Sequence, residues 1–271
     1  MEKRELSIVI ANPSGNITIF VLTPIPESQY ADLANKLLSI QQFNAEQVSF
    51  IKEINFENNI QGSMSMSGQE FCGNASRSFA LLMAKQQGLT GVSQIKVSVS
   101  GSTEPLDVIV NTDLNHAEIS MPHPKNIEIL NNQDINYLNQ AVLVEFDGIT
   151  HIILNDITAN RETFDEIKAA IMKSRNPAAL GVMFYNIKTK HMVPVVYVRD
   201  VDTTYFEGSC ASGTTALCVS LSQKYTEGAY RYTVSQPAGG LIATIEKNNT
   251  TISKITIDGI VSFSEVQTVI I

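Results

Sequence analysis

The sequence reads CGNAS at residues 72–76 and CASGT at residues 210–214. Small residues follow each cysteine, and a helical pattern continues from them. The strand-like segments after the two helices match in order and nearly in spacing, so that Val99 corresponds to Val234 and Ile119 to Ile255. The sequence therefore predicts two similar halves, each with a cysteine at the same structural place, although chance likeness between amphipathic strands is the alternative interpretation.

Strand-like segments dominate the chain and helical patterns are few, which favours an α+β fold over a parallel α/β fold. Strands are predicted at Leu6–Ile10, Ile17–Leu22, Val48–Phe56, Ile95–Ser100, Leu106–Val110, Ala117–Met121, Ala141–Phe146, His151–Leu154, Val182–Ile187, Met192–Val198, Tyr230–Val234, Leu241–Ile245 and Ile252–Ile257. Helices are predicted at Ser28–Gln41 and Arg161–Ser174, and from the two cysteines to about Gln87 and Lys224. The repeat predicts an N-terminal domain at residues 1–125 and a C-terminal domain at residues 126–259.

The composition argues against several classes of protein. The chain has 271 residues, 44% of them hydrophobic, and a net charge of −8 with no run of Lys and Arg, so we expect no nucleic-acid partner. It lacks both an 18-residue apolar stretch and a signal-peptide pattern, so we expect a cytoplasmic protein without a membrane span. Three cysteines do not make a disulfide scaffold. Neither metal-ligand spacing nor a nucleotide-binding glycine motif is present, and we expect neither metal nor cofactor.

Cys72 and Cys210 are the strongest candidates for catalysis. The N–H groups and dipole of a helix N-terminus favour an anion such as a carboxylate, and the same field lowers the pKa of a thiol towards neutrality. If the two halves face each other, one thiolate removes a proton from one face of a stereocentre while the other thiol delivers a proton to the opposite face. A buried structural thiol is the alternative for any cysteine, and Cys218, among apolar neighbours, fits it. A disulfide between Cys72 and Cys210 would be an inactivated form.

With both motifs the chain resembles the diaminopimelate epimerase family of cofactor-independent, two-cysteine amino-acid racemases. The resemblance spans most of the chain and rests on five segments in the family's order: Gly15-Asn16, Ala45-Glu46-Gln47-Val48, Cys72-Gly73-Asn74, Gly148-Ile149-Thr150-His151 and Cys210-Ala211-Ser212-Gly213. It implies two similar domains, each a β-barrel-like sheet around a central helix, with the active site in the cleft between them. It also implies an amino-acid substrate, a homodimer, and a last strand at 260–271 that returns to the first domain.

The resemblance assigns roles to residues of these segments. Cys72 and Cys210 are expected to be the catalytic acid and base, with His151, Glu46 and Glu207 as supporting acid/base groups. The amino and carboxylate groups of the substrate are expected to bind a set of small polar residues and helix-end positions: Ser14, Asn16, Gln47, Gly73, Asn74, Ala211 and Ser212. A structural histidine is the alternative for His151, a solvated charge is the alternative for Glu46, and Arg77 is predicted to be structural.

The chain departs from the family where diaminopimelate's distal end is held. Ile149 and Gly181 stand where the family has asparagines, and the arginine before the second cysteine is missing. A distal carboxylate would therefore lose its bidentate partner. Glu46 and the aromatic pair Tyr205 and Phe206 suit a neutral or cationic ring better, although loop packing is an equal alternative for the aromatics.

Within the family the chain looks most like the histidine racemases that supply D-histidine for staphylopine-type metallophores. This resemblance predicts interconversion of L- and D-histidine. Three alternatives stay open: a diaminopimelate epimerase of lysine and cell-wall biosynthesis, an isomerase of the phenazine-biosynthesis type, which lacks the cysteine pair, and a non-catalytic amino-acid binding protein.

Overall fold

The computed structural model describes residues 4–52, 60–131, 138–199 and 202–271. The first half of the chain contains the helices α1 (Tyr30–Leu38) and α2 (Gly73–Gln86) and the strands β1 (Glu5–Asn12), β2 (Thr18–Val21), β3 (Gln47–Lys52), β4 (Gly62–Met66), β5 (Val92–Val99), β6 (Leu106–Asn111) and β7 (His116–Ser120). The second half contains the helices α3 (Arg161–Ser174) and α4 (Ala211–Ser222) and the strands β8 (Asn126–Ile129), β9 (Val142–Phe146), β10 (Ile149–Asn155), β11 (Ala179–Asn186), β12 (His191–Val198), β13 (Thr203–Phe206), β14 (Gly228–Gln236), β15 (Gly239–Asn248), β16 (Thr251–Ile260), β17 (Ser262–Phe263) and β18 (Gln267–Ile270).

The predicted α+β class is confirmed, since strands predominate and α-helices are few among the described residues. The bounds of α3 are those predicted from its amphipathic pattern, and Asn160 caps its first turn by accepting from the Thr163 N–H at 2.8 Å. The predicted helix at Ser28–Gln41 is shorter in the structure, because α1 ends at Leu38 and a separate 3₁₀ turn follows. The predicted strand at Val48–Phe56 is observed up to Lys52, and its last four residues lie outside the described residues.

The chain divides into two compact units, Met1–Ser120 with Asp258–Ile271, and Met121–Ile257. In the first unit, β2 and β3 are parallel, β3 and β4 antiparallel, β4 and β5 parallel, and β5 to β7 antiparallel. β1 pairs antiparallel with β2, and also with β17 and β18 from the chain's end. The domain boundaries expected at residues 125 and 259 stay predictions.

The second unit repeats this order of pairing. β9 and β10 are antiparallel, β10 and β11 parallel, β11 and β12 antiparallel, β12 and β14 parallel, and β14 and β15 antiparallel. β13 adds to the free side of β12. The alternation of parallel and antiparallel neighbours is therefore the same in both halves, as the matching segments of the sequence predict.

Each unit has one helix that is buried on nearly every side. All residues of α2 from Gly73 to Ala84 are buried, and the helix contacts β4, β5, β6 and β7. α4 is buried at most of its positions and contacts β9, β10, β11, β14 and β15. A helix that is buried on nearly every side must be covered all round, so the sheet of each unit curves about its central helix. The other two helices are amphipathic and pack outside: Tyr30 of α1 stacks on Phe50 with ring centroids 3.9 Å apart, and α3 buries Phe164, Ile167 and Ile171.

No helix in the described ranges is both long and apolar enough to cross a membrane.

Candidate active site

The two candidate cysteines occupy the same backbone position in their units, the N-cap of the central helix. Cys72 has φ −128° and ψ 110°, and Cys210 has φ −128° and ψ 111°. Each Sγ accepts a hydrogen bond from the N–H three residues later, Ala75 at 3.5 Å and Gly213 at 3.4 Å. The thiols therefore lie at the positive end of a helix dipole, where a thiolate is stabilised. All three cysteines of the chain are free thiols.

A carboxamide holds the half-buried Sγ of Cys72. Gln47 Nε2 donates to Asn16 Oδ1 and to Thr18 Oγ1, both at 2.8 Å, and to Cys72 Sγ at 3.4 Å. The position of Gln47 follows from the parallel pairing of β2 and β3, which sets Thr18 opposite it. Cys72 Sγ in turn donates to Asn16 Oδ1 at 3.7 Å. The surroundings of Cys72 thus offer donors to a thiolate and an acceptor to a thiol.

The loop before β2 carries two more of the predicted residues. Ser14, Gly15 and Asn16 have successive positive φ values of 65°, 97° and 59°, a backbone that asparagine and glycine tolerate better than serine. The Glu46 carboxylate accepts from the Asn16 N–H at 3.0 Å and from Asn16 Nδ2 at 3.5 Å. Glu46 is exposed, but its orientation is set by Asn16. The hydroxyl of Ser14 donates to the Ile260 carbonyl at 3.3 Å.

A fully buried guanidinium lies behind this loop. Arg77 donates to the carbonyls of Pro13 at 2.7 Å and Gly259 at 2.9 Å, and through Nε to Asn74 Oδ1 at 3.3 Å. Burial lowers the pKa of Arg77 to about 10, while the charges of Asp258 and Cys72 oppose that shift. Arg77 is therefore a cation at neutral pH. Asn74, expected to bind substrate, is itself buried and its side-chain oxygen faces Arg77.

Cys210 has a different arrangement of partners. Gln236, which is 4% exposed, accepts from the Cys210 N–H at 2.8 Å and donates from Nε2 to Thr214 Oγ1 at 3.1 Å. Thr214 Oγ1 donates to the Cys210 carbonyl at 2.6 Å. The two side chains form a closed polar ring that holds the backbone of Cys210 on both sides.

The thiol of Cys210 is held in its protonated form. Burial raises the pKa of Cys210 well above its ordinary value, and the charge and hydrogen bond of Glu207 raise it further. Ser212, whose Oγ lies 3.5 Å from Cys210 Sγ, and the Gly213 N–H oppose the shift. Cys218, in the core of α4, is fully buried, and burial alone raises the pKa of its thiol, which agrees with a structural role.

His151 lies fully inside the second unit, in β10. Burial lowers the pKa of His151 to about 3, so its imidazole is neutral at neutral pH. Neither ring nitrogen has a hydrogen-bond partner among the described residues. The ring packs edge-on to Phe146 and over Gly181, its partner in β11, where an added Cβ would lie 2.2 Å from His151 Nδ1. Gly181, which stands where the resembling family has asparagine, therefore leaves the space that the imidazole occupies.

Comparison with known proteins identifies the family. A family model described as the histidine racemase CntK N-terminal domain matches residues 5–268. The chain belongs to this family. A histidine racemase of Fusobacterium nucleatum subsp. nucleatum is 36% identical over 253 residues, which cover 90% of each chain. A histidine racemase of Staphylococcus aureus strain Mu50 is 26% identical over 250 residues, 91% of each chain. The protein is thus an amino-acid racemase, an isomerase.

Solved structures of other epimerases share the racemase's fold at low sequence identity. A hydroxyproline epimerase from Agrobacterium vitis with bound trans-4-hydroxy-L-proline has a TM-score of 0.68 at 11% identity, covering 98% of this chain and 93% of that one. A predicted epimerase from Pseudomonas aeruginosa has a TM-score of 0.69 at 9% identity, covering 98% and 99%. At these identities the likeness concerns the fold alone.

Within each unit of the racemase, the structure brings some predicted residues together. The first unit groups Cys72 with Asn16, Gln47 and Glu46, and the second groups Cys210 with Ser212 and Glu207. The helix-end residues Gly73 and Ala211 are the first residues of α2 and α4. The roles of Gln236 and Thr214 were not predicted from the sequence. The one indication of such a role is a glutamine at a buried position at the end of β14.

Proposed function

We propose that the racemase interconverts L- and D-histidine, with Cys72 and Cys210 acting on opposite faces of one α-carbon. The observation that carries the proposal is the pair of cysteines with matching N-cap geometry in a chain whose relatives are histidine racemases. The family's name supports the substrate, and the geometry supports the choice of the two thiols.

The proton balance of this reaction needs one thiolate and one thiol. The thiolate takes the α-proton and becomes a thiol, and the electron pair of the broken C–H bond is delocalised into the substrate carboxylate. The second thiol gives its proton to the opposite face of the α-carbon and becomes a thiolate. The product therefore leaves with inverted configuration and without any net gain or loss of protons.

The substrate carboxylate is placed at the helix ends in this proposal. The first N–H groups of a helix have no acceptor within the helix, and Gly73, Asn74, Ala211 and Ser212 supply such groups at α2 and α4. Bound there, the negative charge that develops on the carboxylate in the transition state is stabilised electrostatically, which lowers the barrier to removing an α-proton.

Glu46 is proposed to select the imidazole side chain. Asn16 fixes its carboxylate beside the Cys72 half-site, where an imidazole N–H finds an acceptor. The exposed aromatic residues Tyr205 and Phe206 lie just before Glu207 and offer a surface for a ring. D-Histidine made in this way would supply the biosynthesis of a staphylopine-type metallophore. The homodimer and the cytoplasmic location stay predictions.

The substrate is tested by incubating the protein in deuterated water with a panel of L-amino acids that includes histidine and diaminopimelate. We expect α-deuterium in histidine together with its conversion to the D-enantiomer, measured by NMR and chiral chromatography. Exchange of diaminopimelate without exchange of histidine would make the substrate assignment wrong. Tight binding without exchange of any amino acid would show a binding protein instead.

The two thiols are tested by the variants Cys72→Ser and Cys210→Ser. Each is expected to reduce kcat by about 10²- to 10⁴-fold, because each removes one of the two proton carriers. Cys218→Ala is the matched control: it also removes a thiol from α4, but one that is fully buried, and it should retain activity. If either active-site variant keeps nearly full activity, the two-base mechanism fails.

A further inference from the structure

We propose that Arg77 is a positioning residue of the racemase: it holds the loop that carries Asn16 and keeps Cys72 as the resting thiolate, while Glu207 keeps Cys210 as the thiol. The inference rests on the proposed two-cysteine function. It adds which of the two cysteines is ionised before substrate binds. The sequence indicated only a structural role for Arg77.

The guanidinium connects three segments of the first unit. Its two terminal nitrogens bind the Pro13 carbonyl at 2.7 Å and the Gly259 carbonyl at 2.9 Å, and Nε binds Asn74 Oδ1 on its own helix. Pro13 is followed directly by the three residues with positive φ, the last of which is Asn16. Because the loop is fixed at Pro13, Asn16 Oδ1 is held within 3.7 Å of Cys72 Sγ and 2.8 Å of Gln47 Nε2.

The charges around Cys72 favour an anion there. Arg77 and Cys72 interact electrostatically, and since this interaction favours the charged guanidinium, it favours the thiolate equally. The Ala75 N–H and the Gln47 amide add two donors to Sγ, which outnumber the one acceptor at Sγ, Asn16 Oδ1 at 3.7 Å. Two carboxylates act in the opposite sense: Asp258 partners His116 at 3.0 Å, and Glu46 is exposed and bound to Asn16. Solvent weakens the effect of the exposed Glu46. Asp258 is fully buried and acts on Arg77 more strongly than Cys72 does, so it offsets part of the effect of Arg77 on the thiolate.

In the second unit the position that corresponds to Arg77 carries no charge, and an anion acts on the cysteine instead. When the two cysteines are aligned, the position that corresponds to Arg77 is Thr215, whose hydroxyl donates to the Ala211 carbonyl at 2.9 Å. Glu207 is the charged group that acts on Cys210, and its carboxylate disfavours a neighbouring thiolate. The helix N-terminus favours a thiolate at both sites. At Cys72 a buried cation adds to this effect, whereas at Cys210 burial and a carboxylate oppose it.

The ionisation of the resting pair, with Cys72 as thiolate and Cys210 as thiol, determines the order of proton transfers during turnover. In the resting enzyme the first proton goes to Cys72, and the proton that replaces it comes from Cys210. The product complex then carries the reverse ionisation, with Cys72 protonated and Cys210 anionic. After product leaves, a proton returns from Cys72 to solvent and another from solvent to Cys210, which restores the resting pair.

The test measures the ionisation of each thiol in the full-length protein. Iodoacetamide alkylates the thiolate, and peptide mass spectrometry reads Cys72 and Cys210 separately over a range of pH. The midpoint of each rate–pH curve reports ionisation independently of how accessible the thiol is. In the wild type we expect the Cys72 midpoint to lie at least one pH unit below that of Cys210. A Cys210 midpoint equal to or below that of Cys72 overturns the proposal, whatever the variants do.

Two substitutions then separate charge from structure. Arg77→Gln should raise the Cys72 midpoint by one pH unit or more, and Arg77→Lys, which keeps the charge, should raise it less. Arg161→Gln, which removes a surface arginine from α3, is the control and should leave both midpoints in place. A folded Arg77→Gln protein with an unchanged Cys72 midpoint overturns the role of Arg77.

If Arg77→Gln does not fold, Glu207→Gln provides the opposite arm, with an expected fall of the Cys210 midpoint; no fall overturns the proposal. Failure of the proposed function would look different. It would show as an active Cys72→Ser or Cys210→Ser variant, whereas failure of this inference leaves those variants inactive and changes only the order of the midpoints.

Discussion

The two cysteine sites have the same backbone and different side chains around it. Cys72 is half-buried beneath a network of amide groups from Gln47 and Asn16. Cys210 is 7% exposed, and its partners are the backbone-binding Gln236 and the carboxylate of Glu207. The comparison teaches that the repeat preserves what the helix N-terminus supplies, namely the N–H groups and the dipole, while the side chains that bias each thiol have diverged.

The turns behind the two cysteines differ in the same way. In the first unit, Gly101 has φ 72° and lies so close to the segment before Cys72 that an added Cβ would be 2.1 Å from the Phe71 nitrogen. When Val99 is aligned with Val234, the position that corresponds to Gly101 is Gln236, whose side chain binds the Cys210 N–H. Both contacts fix the cysteine against a turn between two strands. In the first unit the backbone of the β5–β6 turn makes the contact, and in the second unit a side chain of the β14–β15 turn makes it.

Among the side chains around the two thiols, the largest effect on activity is expected from removing the amide of Gln47. Gln47→Leu takes away a hydrogen bond to the Cys72 sulfur. To a thiolate, as proposed for Cys72, such a bond is worth about 1.5–3 kcal/mol, so we expect kcat to fall roughly ten- to a hundredfold. Steady-state kinetics with histidine measure it. The free energy of unfolding should change less, because Gln47 is only half-buried.

Gln236→Leu is the matched variant of the other unit, and it should reduce stability more than activity. It leaves a buried Cys210 N–H without its acceptor, and the expected loss of unfolding free energy is about 1–3 kcal/mol. If Gln236→Leu is as stable as wild type while Gln47→Leu is strongly destabilised, the assignment of one glutamine to the thiol and the other to the backbone is reversed.

The next effect concerns the residue whose N–H binds each sulfur. It is Ala75 in the first unit and Gly213 in the second, where an added Cβ would lie 2.2 Å from Met183 Sδ. Gly213→Ala should therefore cost about 1–3 kcal/mol of unfolding free energy, measured by urea denaturation, because a close-packed neighbour must move.

The first unit suggests how to rescue that variant. Met183 stands two residues after Gly181 in β11, and Ser49 stands two residues after Gln47 in β3, so the first unit combines alanine with a small neighbour. Met183→Ser alone creates a cavity, but combined with Gly213→Ala it should cost less than the sum of the two single changes. If the changes in unfolding free energy are strictly additive, the added methyl group at position 213 does not fill the space left by Met183.

The sequence predicts the repeat well because each copy is defined by residues close together in the chain. The N-cap cysteine, the small residues after it and the apolar alternation of the strands that follow are set by backbone requirements, which a single chain reveals. The four helices were all expected, and strands such as Leu106–Val110 differ by one residue from the observed β6. β4 was missed because its sequence GSMSM lacks the β-branched residues by which strands are recognised.

The partners of the cysteines were harder to predict, since they come from distant parts of the chain. Gln47 is 25 residues from Cys72, Gln236 is 26 from Cys210, and Gly259 is 182 from Arg77. Nothing in a single sequence distinguishes a glutamine that binds a thiol from one that binds a backbone N–H. The burial of Arg77 was likewise invisible, because an arginine five residues into a helix usually reaches solvent.

The last difference in the comparison concerns His151 and appears only as the pH falls. Thr18 follows Gly15 by three residues, as His151 follows Gly148, so the equivalent position in the first unit does not titrate. The pKa of His151 is about 3 in the folded protein and about 6.5 in the unfolded chain. Its contribution to stability is therefore complete above pH 6.5 and is lost as the pH falls from 6.5 towards 3. Between pH 7.5 and pH 5 the loss is about 2 kcal/mol.

Urea denaturation at the two pH values measures this loss, and the difference between wild type and His151→Phe isolates it from other titrating groups. Phenylalanine suits the site because neither ring nitrogen of His151 has a partner among the described residues. His123→Gln, at an exposed position, is the control and should keep the wild-type pH dependence. If His151→Phe keeps it too, the imidazole is not the buried neutral group that separates the second unit from the first, and a supporting acid/base role for His151 gains ground.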